Sequence, residues 1–179
     1  MIYFFSDPHF NHRAMAETFT VTRSDGTTHK ARPFTTVQEH DDVMFANYIE
    51  MVTRHDIVWW LGDVCFKPTE KLIERIASLP GTKHLIMGNH DRESVGRYRR
   101  MGFGKLRSSW TTEGLLVTHI PVHPRSLSRK VAVNVHGHTH STCYGYPYIN
   151  VSVEQTGYAP ISLDAVLHLA GKSKKCQVV

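Results

Sequence analysis

Small clusters of aspartate, asparagine and histidine recur through this sequence, each directly after a short apolar run. Ser6-Asp7-Pro8-His9 follows Ile2–Phe5, Gly62-Asp63 follows Ile57–Leu61, and Gly88-Asn89-His90-Asp91 follows His84–Met87. His119 follows Leu115–Thr118, and Val131–Val135 leads into His136-Gly137-His138-Thr139-His140. Carboxylates, an amide oxygen and imidazoles suit Mn²⁺, Fe, Zn²⁺ or Ni²⁺, and none of the clusters contains a thiolate. Asp7, His9, Asp63, Asn89, His119, His138 and His140 make seven potential ligands. That is too many for one tetrahedral zinc and suits two ions that share a carboxylate. The two-residue spacing of Asp7 and His9, repeated by His138 and His140, puts side chains on the same side of an extended chain. Paired ions about 3.5–4 Å apart clamp the attacking and leaving oxygens of an in-line phosphoryl displacement. The residues therefore point to a dinuclear metallohydrolase that favours phosphoesters.

Such ligands work only if the chain brings them together. The apolar runs Ile2–Phe5, Ile57–Leu61, His84–Met87, Leu115–Thr118, Val131–Val135 and Tyr148–Val153 are rich in β-branched and aromatic residues and read as strands. Helical patterns lie over Thr36–Thr53, over Lys71–Leu79 before Pro80-Gly81, and over Leu163–Ala170 with Ser162 as N-cap and Gly171 just past the end. Strand and helix alternate in the first half and strands dominate the second. The expected core is a sheet-based α/β fold, βαβ-like at first and more antiparallel later. Ligand sites in such folds gather at the carboxyl ends of strands, where these clusters fall. Thr18–Arg32, with its turn at Asp25-Gly26, reads as a short hairpin placed to lid the site.

The 179 residues, 41% hydrophobic and 21% charged, fit one soluble domain with a sizeable core. The expected domain covers residues 1–171, followed by a basic, frayed tail over 172–179. Disorder, a collagen-like repeat and a disulfide scaffold are excluded, and no apolar run approaches the ~20 residues of a membrane span. Cys65, Cys143 and Cys176 form no pairwise motif, and Met1–Phe5 has no basic leader. A reducing cytoplasm is expected, with no membrane partner. The net charge of +5 favours anionic partners without naming one. Arg92, Arg97, Arg99, Arg100, Lys105 and Arg107 crowd one segment, read as a solvated helix face or as a cationic wall for phosphates.

Asp7-x-His9, Gly62-Asp63, Gly88-Asn89-His90-Asp91, His119 and Gly137-His138-Thr139-His140 stand in the order typical of calcineurin-like metallophosphoesterases, and the chain resembles that family from residue 2 to about 140. Arg32-Pro33-Phe34, Trp60-Leu61-Gly62-Asp63-Val64 and Ile149-Asn150-Val151 look like its small bacterial and phage branch. The resemblance implies a four-layer β-sandwich flanked by helices. It implies that Asp7, His9 and His140 hold one metal, Asn89, His119 and His138 the other, and that Asp63 bridges them. Mn²⁺ is the first expectation for both ions. A hydroxide between the ions would be the nucleophile. His90 would face the phosphate, stabilising its charge or protonating the leaving oxygen, with Asp91 orienting His90.

After Gly62-Asp63 this chain continues Val64-Cys65-Phe66-Lys67-Pro68, without the Asp-Arg-Gly extension of the protein phosphatases, so that branch is disfavoured. The resemblance implies a phosphodiesterase, with 2′,3′-cyclic nucleotides among the candidate substrates and nucleic acid as a substrate only. A phosphomonoesterase, a nuclease and a metal-binding protein without turnover are the alternatives. His12 and Arg92 are candidate substrate contacts. His123 and His136 flank ligand segments, while His29, His40, His55, His84 and His168 read as solvated or packing residues.

Overall fold

The computed structural model describes residues 1–22 and 25–175. In chain order the first half holds β1 (Ile2–Phe5), α1 (Arg13–Glu17), β2 (Thr20–Thr22), β3 (Thr28–Lys30), α2 (Val37–Met51), β4 (Ile57–Trp60), α3 (Glu70–Ala77) and β5 (Thr82–Ile86). There follow α4 (Val95–Arg100), β6 (Phe103–Arg107), β7 (Ser109–Thr112), β8 (Leu115–Thr118), β9 (Val133–His136), β10 (Tyr148–Asn150), β11 (Ile161–Ser162) and α5 (Leu163–Lys175).

The helices start where side chains satisfy free amides. Thr36 accepts from Glu39 N at 3.1 Å to begin α2, and Thr69 accepts from Leu72 N at 3.2 Å to begin α3. Glu39 reaches back to Thr35 N at 2.8 Å, one residue beyond the N-cap amide that a standard capping box would engage. α3 carries Glu70 in its first turn and Arg75 in its last, matching the helix dipole, and buries Leu72, Ile73 and Ile76 on one stripe.

Two sheets form the centre. The first has the order β11-β1-β4-β5-β6, parallel except for β11, and the second the order β10-β9-β8-β7. Side chains along the first sheet alternate between two cores, as the two-residue period of a strand requires. Tyr3, Phe5, Val58, Trp60 and Leu85 pack with Met44, Phe45, Tyr48, Ile73, Ile76 and Tyr98 of the helices. Phe4, Trp59, Leu61 and Ile86 pack instead against Leu115, Val117, Val133, Val135 and Ile149 of the second sheet. Trp59 and Trp60 are thus core residues on opposite faces, and each large side chain so buried contributes about 2–3 kcal/mol. α5 closes the sandwich edge, with Val166 and Ala170 in the inter-sheet core. The layers run from α2, α3 and α4 through the two sheets to the segment over the second sheet's outer face. That segment is fixed by Asn134 Oδ1 on Val122 N at 2.9 Å and by Tyr148 OH on Val122 O at 2.7 Å.

Three expectations need correction. The second sheet is not mainly antiparallel: β8–β9 and β9–β10 are parallel and β7–β8 alone is antiparallel. Chain between them, here the segment from 119 to 132, makes such crossovers without the helix that usually marks them in sequence. The last helix does not stop before Gly171 but continues to Lys175, past the expected start of the tail; residues 176–179 of that tail lie outside the described residues. The basic segment is not one helix face. It divides into α4 and β6, and three of its five arginines are engaged locally: Arg97 pairs with Glu93 at 2.8 Å, Arg100 with Glu70, and Arg99 with the carbonyls of Phe103 and Gly104. The hairpin does form, as β2 and β3, and leads into Arg32.

Candidate metal centre

The loops that leave the parallel strands continue their hydrogen-bond ladder. Asp7 N donates to Gly62 O at 3.1 Å, His9 N to Asp63 O at 3.0 Å and Phe10 N to Val64 O at 3.0 Å, so the ends of β1 and β4 advance side by side. In the second sheet Gly137 N donates to His119 O at 2.9 Å, and Val153 N donates to Ser6 O at 3.0 Å across the two sheets. The five expected clusters converge at this end of the sandwich.

Five of the seven expected ligands, Asp7, His9, Asp63, His138 and His140, have positive φ between 49° and 66°. Such backbone costs on the order of 1–3 kcal/mol per residue and persists where surrounding structure fixes it. Gly62, at φ +95°, admits no side chain: a Cβ there would stand 2.6 Å from His119 Nδ1 and 2.7 Å from Gly88 Cα. At Gly137 a Cβ would overlap Ser6 Oγ and Asp7 Oδ2.

Two triads result. Ligand atoms of Asp7, His9 and His140 lie within 4.8 Å of one another, and so do those of Asp63, His119 and His138. Asp63 Oδ2 lies 3.5 Å from His9 Nε2 in the first triad and 3.5 Å from His119 Nε2 in the second. Its other oxygen accepts from His90 N at 2.8 Å. Asp7, buried, accepts from Ser6 Oγ at 2.5 Å, Ser152 Oγ at 3.0 Å and His138 N at 2.9 Å.

The donor set fits cations. His119 Nδ1 donates to Leu61 O at 2.6 Å, which leaves Nε2 with its lone pair directed at Asn89 Oδ1, 2.9 Å away. That ring nitrogen and amide oxygen stand side by side as candidate ligands. His9 Nε2 is buried without a hydrogen-bond partner. Burial, reinforced by the Arg32 charge, pushes the His9 imidazole well below its usual range, and burial also lowers His138, so both present neutral rings.

His140 is held differently. Its Nδ1 donates to Glu154 Oε1 at 2.9 Å, leaving Nε2 for the first triad. Burial would lower His140, but the Glu154 hydrogen bond and charge outweigh it and raise the ring's pKa. Burial likewise opposes ionisation of Glu154, which His140 and Arg32 nonetheless hold down at about 2. The Arg32 guanidinium, fully buried, donates to Glu154 Oε1, to Pro8 O at 2.9 Å and to Asp7 O at 2.7 Å, and meets His40 Nε2 at 2.6 Å. His40 in turn bonds Asp41, whose other oxygen accepts from Asn11 N at 3.0 Å. His40 is therefore a buried link in the support of the Asp7–Asn11 loop.

Asp91 departs from its expected role. It does not orient His90: its carboxylate accepts from Asp63 N at 2.9 Å, Val64 N at 3.0 Å and Gly88 N at 2.7 Å. Its work is to lock the Gly62-Asp63 turn against Gly88. His90 stands exposed, its ring centroid 5.6 Å from that of His9. His12 caps α1 through Nδ1 on Met15 N at 3.1 Å, with its ring 5.6 Å from His9. Arg92, exposed, lines a cleft with His90. His136 lies on the outer face of the second sheet, bonded to Gly137 O at 2.8 Å, and His123 caps a short 3₁₀ turn; neither holds a candidate ligand ring.

Glu154 was not singled out in the sequence, although it too follows an apolar run, Tyr148–Val153. Arg32 follows no apolar run and stood out only through the branch resemblance of Arg32-Pro33-Phe34, which says nothing of a buried cation.

The chain belongs to the calcineurin-like phosphoesterase family, whose sequence pattern matches residues 1–124. It is 29% identical over 188 aligned positions to an uncharacterised protein of Methanocaldococcus jannaschii, covering 99% of this chain and 96% of that one. It is also 32% identical to the gene 66 protein of Mycobacterium phage L5 over 50% of this chain and 39% of the phage protein. Among solved structures, a protein of unknown function from Aquifex aeolicus matches with TM-score 0.65 at 23% identity, over 94% of this chain and 98% of that one. A Pseudomonas putida nuclease matches with TM-score 0.50 at 17% identity, over 78% and 61%. Both structural likenesses concern the fold.

Proposed function

We propose that this chain is a phosphodiesterase that works with two divalent ions, Mn²⁺ first among them. Asp7, His9 and His140 would hold one ion, Asn89, His119 and His138 the other, with Asp63 between. The observation that carries this reading is the single Asp63 oxygen placed 3.5 Å from a histidine nitrogen of each triad. When bound, the ions would supply activated water and offset charge on the phosphoryl oxygens. Leu61 O and Glu154 hold Nδ1 of His119 and His140, which leaves Nε2 of each ring as the nitrogen that would face an ion. His90, at the mouth beside His9, would hold the phosphate's charge or give the leaving oxygen its proton. Arg97, Arg99 and Arg100 are engaged with local acceptors and Arg32 is paired with Glu154, whereas Lys67 and Arg92 line the cleft beside His90. Among diesters, 2′,3′-cyclic nucleotides are the first to try.

We take the protein as a cytoplasmic, single-domain enzyme; no helix among the described residues is long and apolar enough to cross a membrane. The test is initial rates on bis(p-nitrophenyl) phosphate and p-nitrophenyl phosphate, with Mn²⁺ and with chelator, beside Asp63→Asn. Faster metal-dependent diester cleavage, lost in Asp63→Asn, is expected. Monoester preference would make the protein a phosphatase, and stoichiometric metal without hydrolysis of either ester would make it a binding protein. Full activity in Asp63→Asn would remove the bridging assignment.

A further inference from the structure

Beside the metal centre, Phe66 is 41% exposed, whereas Phe5, Phe10 and Phe45 nearby are buried. A solitary exposed apolar side chain is ordinary in itself. The backbone that carries this one is anchored. Phe66 N donates to Phe10 O at 2.8 Å, and the carbonyls of Phe66 and Lys67 both accept from Asn11 Nδ2, at 3.0 and 3.1 Å. The ring therefore rides on the loop that carries Asp63, fastened to the loop that carries His9. On one side it meets His12, with ring centroids 4.6 Å apart. On the other it borders a cleft of about 220 Å³ that His90 and Arg92 also line. Lys67 Nζ lies 5.3 Å from the ring centroid on a flexible stem, and Glu93, the one acid in the cleft lining, is paired with Arg97.

A fixed aromatic face with cations beside it, opening onto phosphoryl chemistry, matches the way proteins hold single-stranded nucleotides: bases stack on the ring while cations track phosphates. We propose that Phe66 is a stacking platform for a nucleobase, so that the diester cleaved here belongs to a nucleotide, with Lys67 and Arg92 meeting its phosphate or a flanking one. The proposal deepens the phosphodiesterase reading and rests on it.

Dithymidine phosphate and its counterpart with both bases replaced by hydrogen separate the two claims. The protein with Mn²⁺ is expected to prefer the base-bearing diester by about tenfold in kcat/KM, within the range that stacking supports. Phe66→Leu, which keeps apolar bulk, should erase that preference while leaving the abasic rate unchanged. It should also weaken calorimetric binding of thymidine 5′-monophosphate by a similar factor. Equal rates on both diesters, or a Phe66→Leu loss shared by both, would overturn the platform and leave the phosphodiesterase reading standing. No cleavage of either, or of bis(p-nitrophenyl) phosphate, would overturn that reading and the platform with it.

Discussion

Arg32 and Glu154, 122 residues apart in sequence, form a buried ion pair in which Nε and Nη2 both reach Glu154 Oε1, at 2.8 and 2.7 Å. The same guanidinium holds the carbonyls of Asp7 and Pro8, and the same carboxylate holds His140, so one pair orients both ends of a triad. Removing one partner leaves a buried charge uncompensated. Glu154→Ala should destabilise the fold on the order of 3–5 kcal/mol in chemical denaturation. Glu154→Gln, which keeps an acceptor, should lose less stability and still weaken metal affinity by about 10–100-fold. Unchanged affinity in Glu154→Gln would show that His140 needs no such support.

Metal should stabilise the protein substantially, because it satisfies His9 Nε2 and separates His119 Nε2 from Asn89 Oδ1. At an ion concentration ~100 times Kd the gain is about 2.7 kcal/mol, and for a chain of this size that raises Tm by about 5–10 °C. Thermal scans with Mn²⁺ and with chelator measure it. Coincident curves would count against any ordered metal centre.

Gly137→Ala places a methyl group against Ser6 Oγ and Asp7 Oδ2. The added carbon should cost about 1–3 kcal/mol and displace the Asp7 carboxylate, so bound metal should fall together with stability. Elemental analysis after dialysis, read beside the unfolding curve, checks both. A variant with full metal content would mean that the loop yields without moving Asp7.

Lys83 is buried beneath the end of α3, where Nζ donates to Ala77 O at 3.1 Å and Leu79 O at 2.7 Å. Burial lowers its pKa from 10.5 to about 8. Between those values the unfolded chain keeps a proton that the folded chain releases, so Lys83 adds stability as pH rises through this window. Burial pushes Cys65 up to about 12 and raises Tyr48 and Tyr98, which lose stability as pH rises. The quantity to measure is therefore the difference between the protein and Lys83→Met. That difference should move in favour of the parent, on the order of 1–2 kcal/mol after solvent screening, from pH 8 to 10.5. A flat difference would place the lysine's ammonium in water.

Much of the site was readable because its ligands follow strand ends. Continuous apolar runs mark β1, β4 and β8, and the polar residues after them stand out. The convergence of His119 and His138 with Asp63 depends on two sheets meeting, which the run of strands implied only in outline. β6 and β7 were missed because Phe103–Arg107 and Ser109–Thr112 are dominated by charged and polar residues on exposed faces. Arg32 was illegible as a support, since a cation is buried by partners that lie 24 and 122 residues away. Asp91 was assigned to its sequence neighbour, yet its hydrogen bonds run to backbone 27 and 28 residues earlier and to Gly88.

The ladder that carries β1 and β4 past their ends gives the loop amides of Asp7, His9 and Phe10 the carbonyls of Gly62, Asp63 and Val64 as partners. Those three amides are thereby fastened as strand amides are, although they belong to loop residues. Deuterium should reach them on the timescale of global opening rather than of loop fluctuation, so the ligand bed has no small excursion by which to let an ion go.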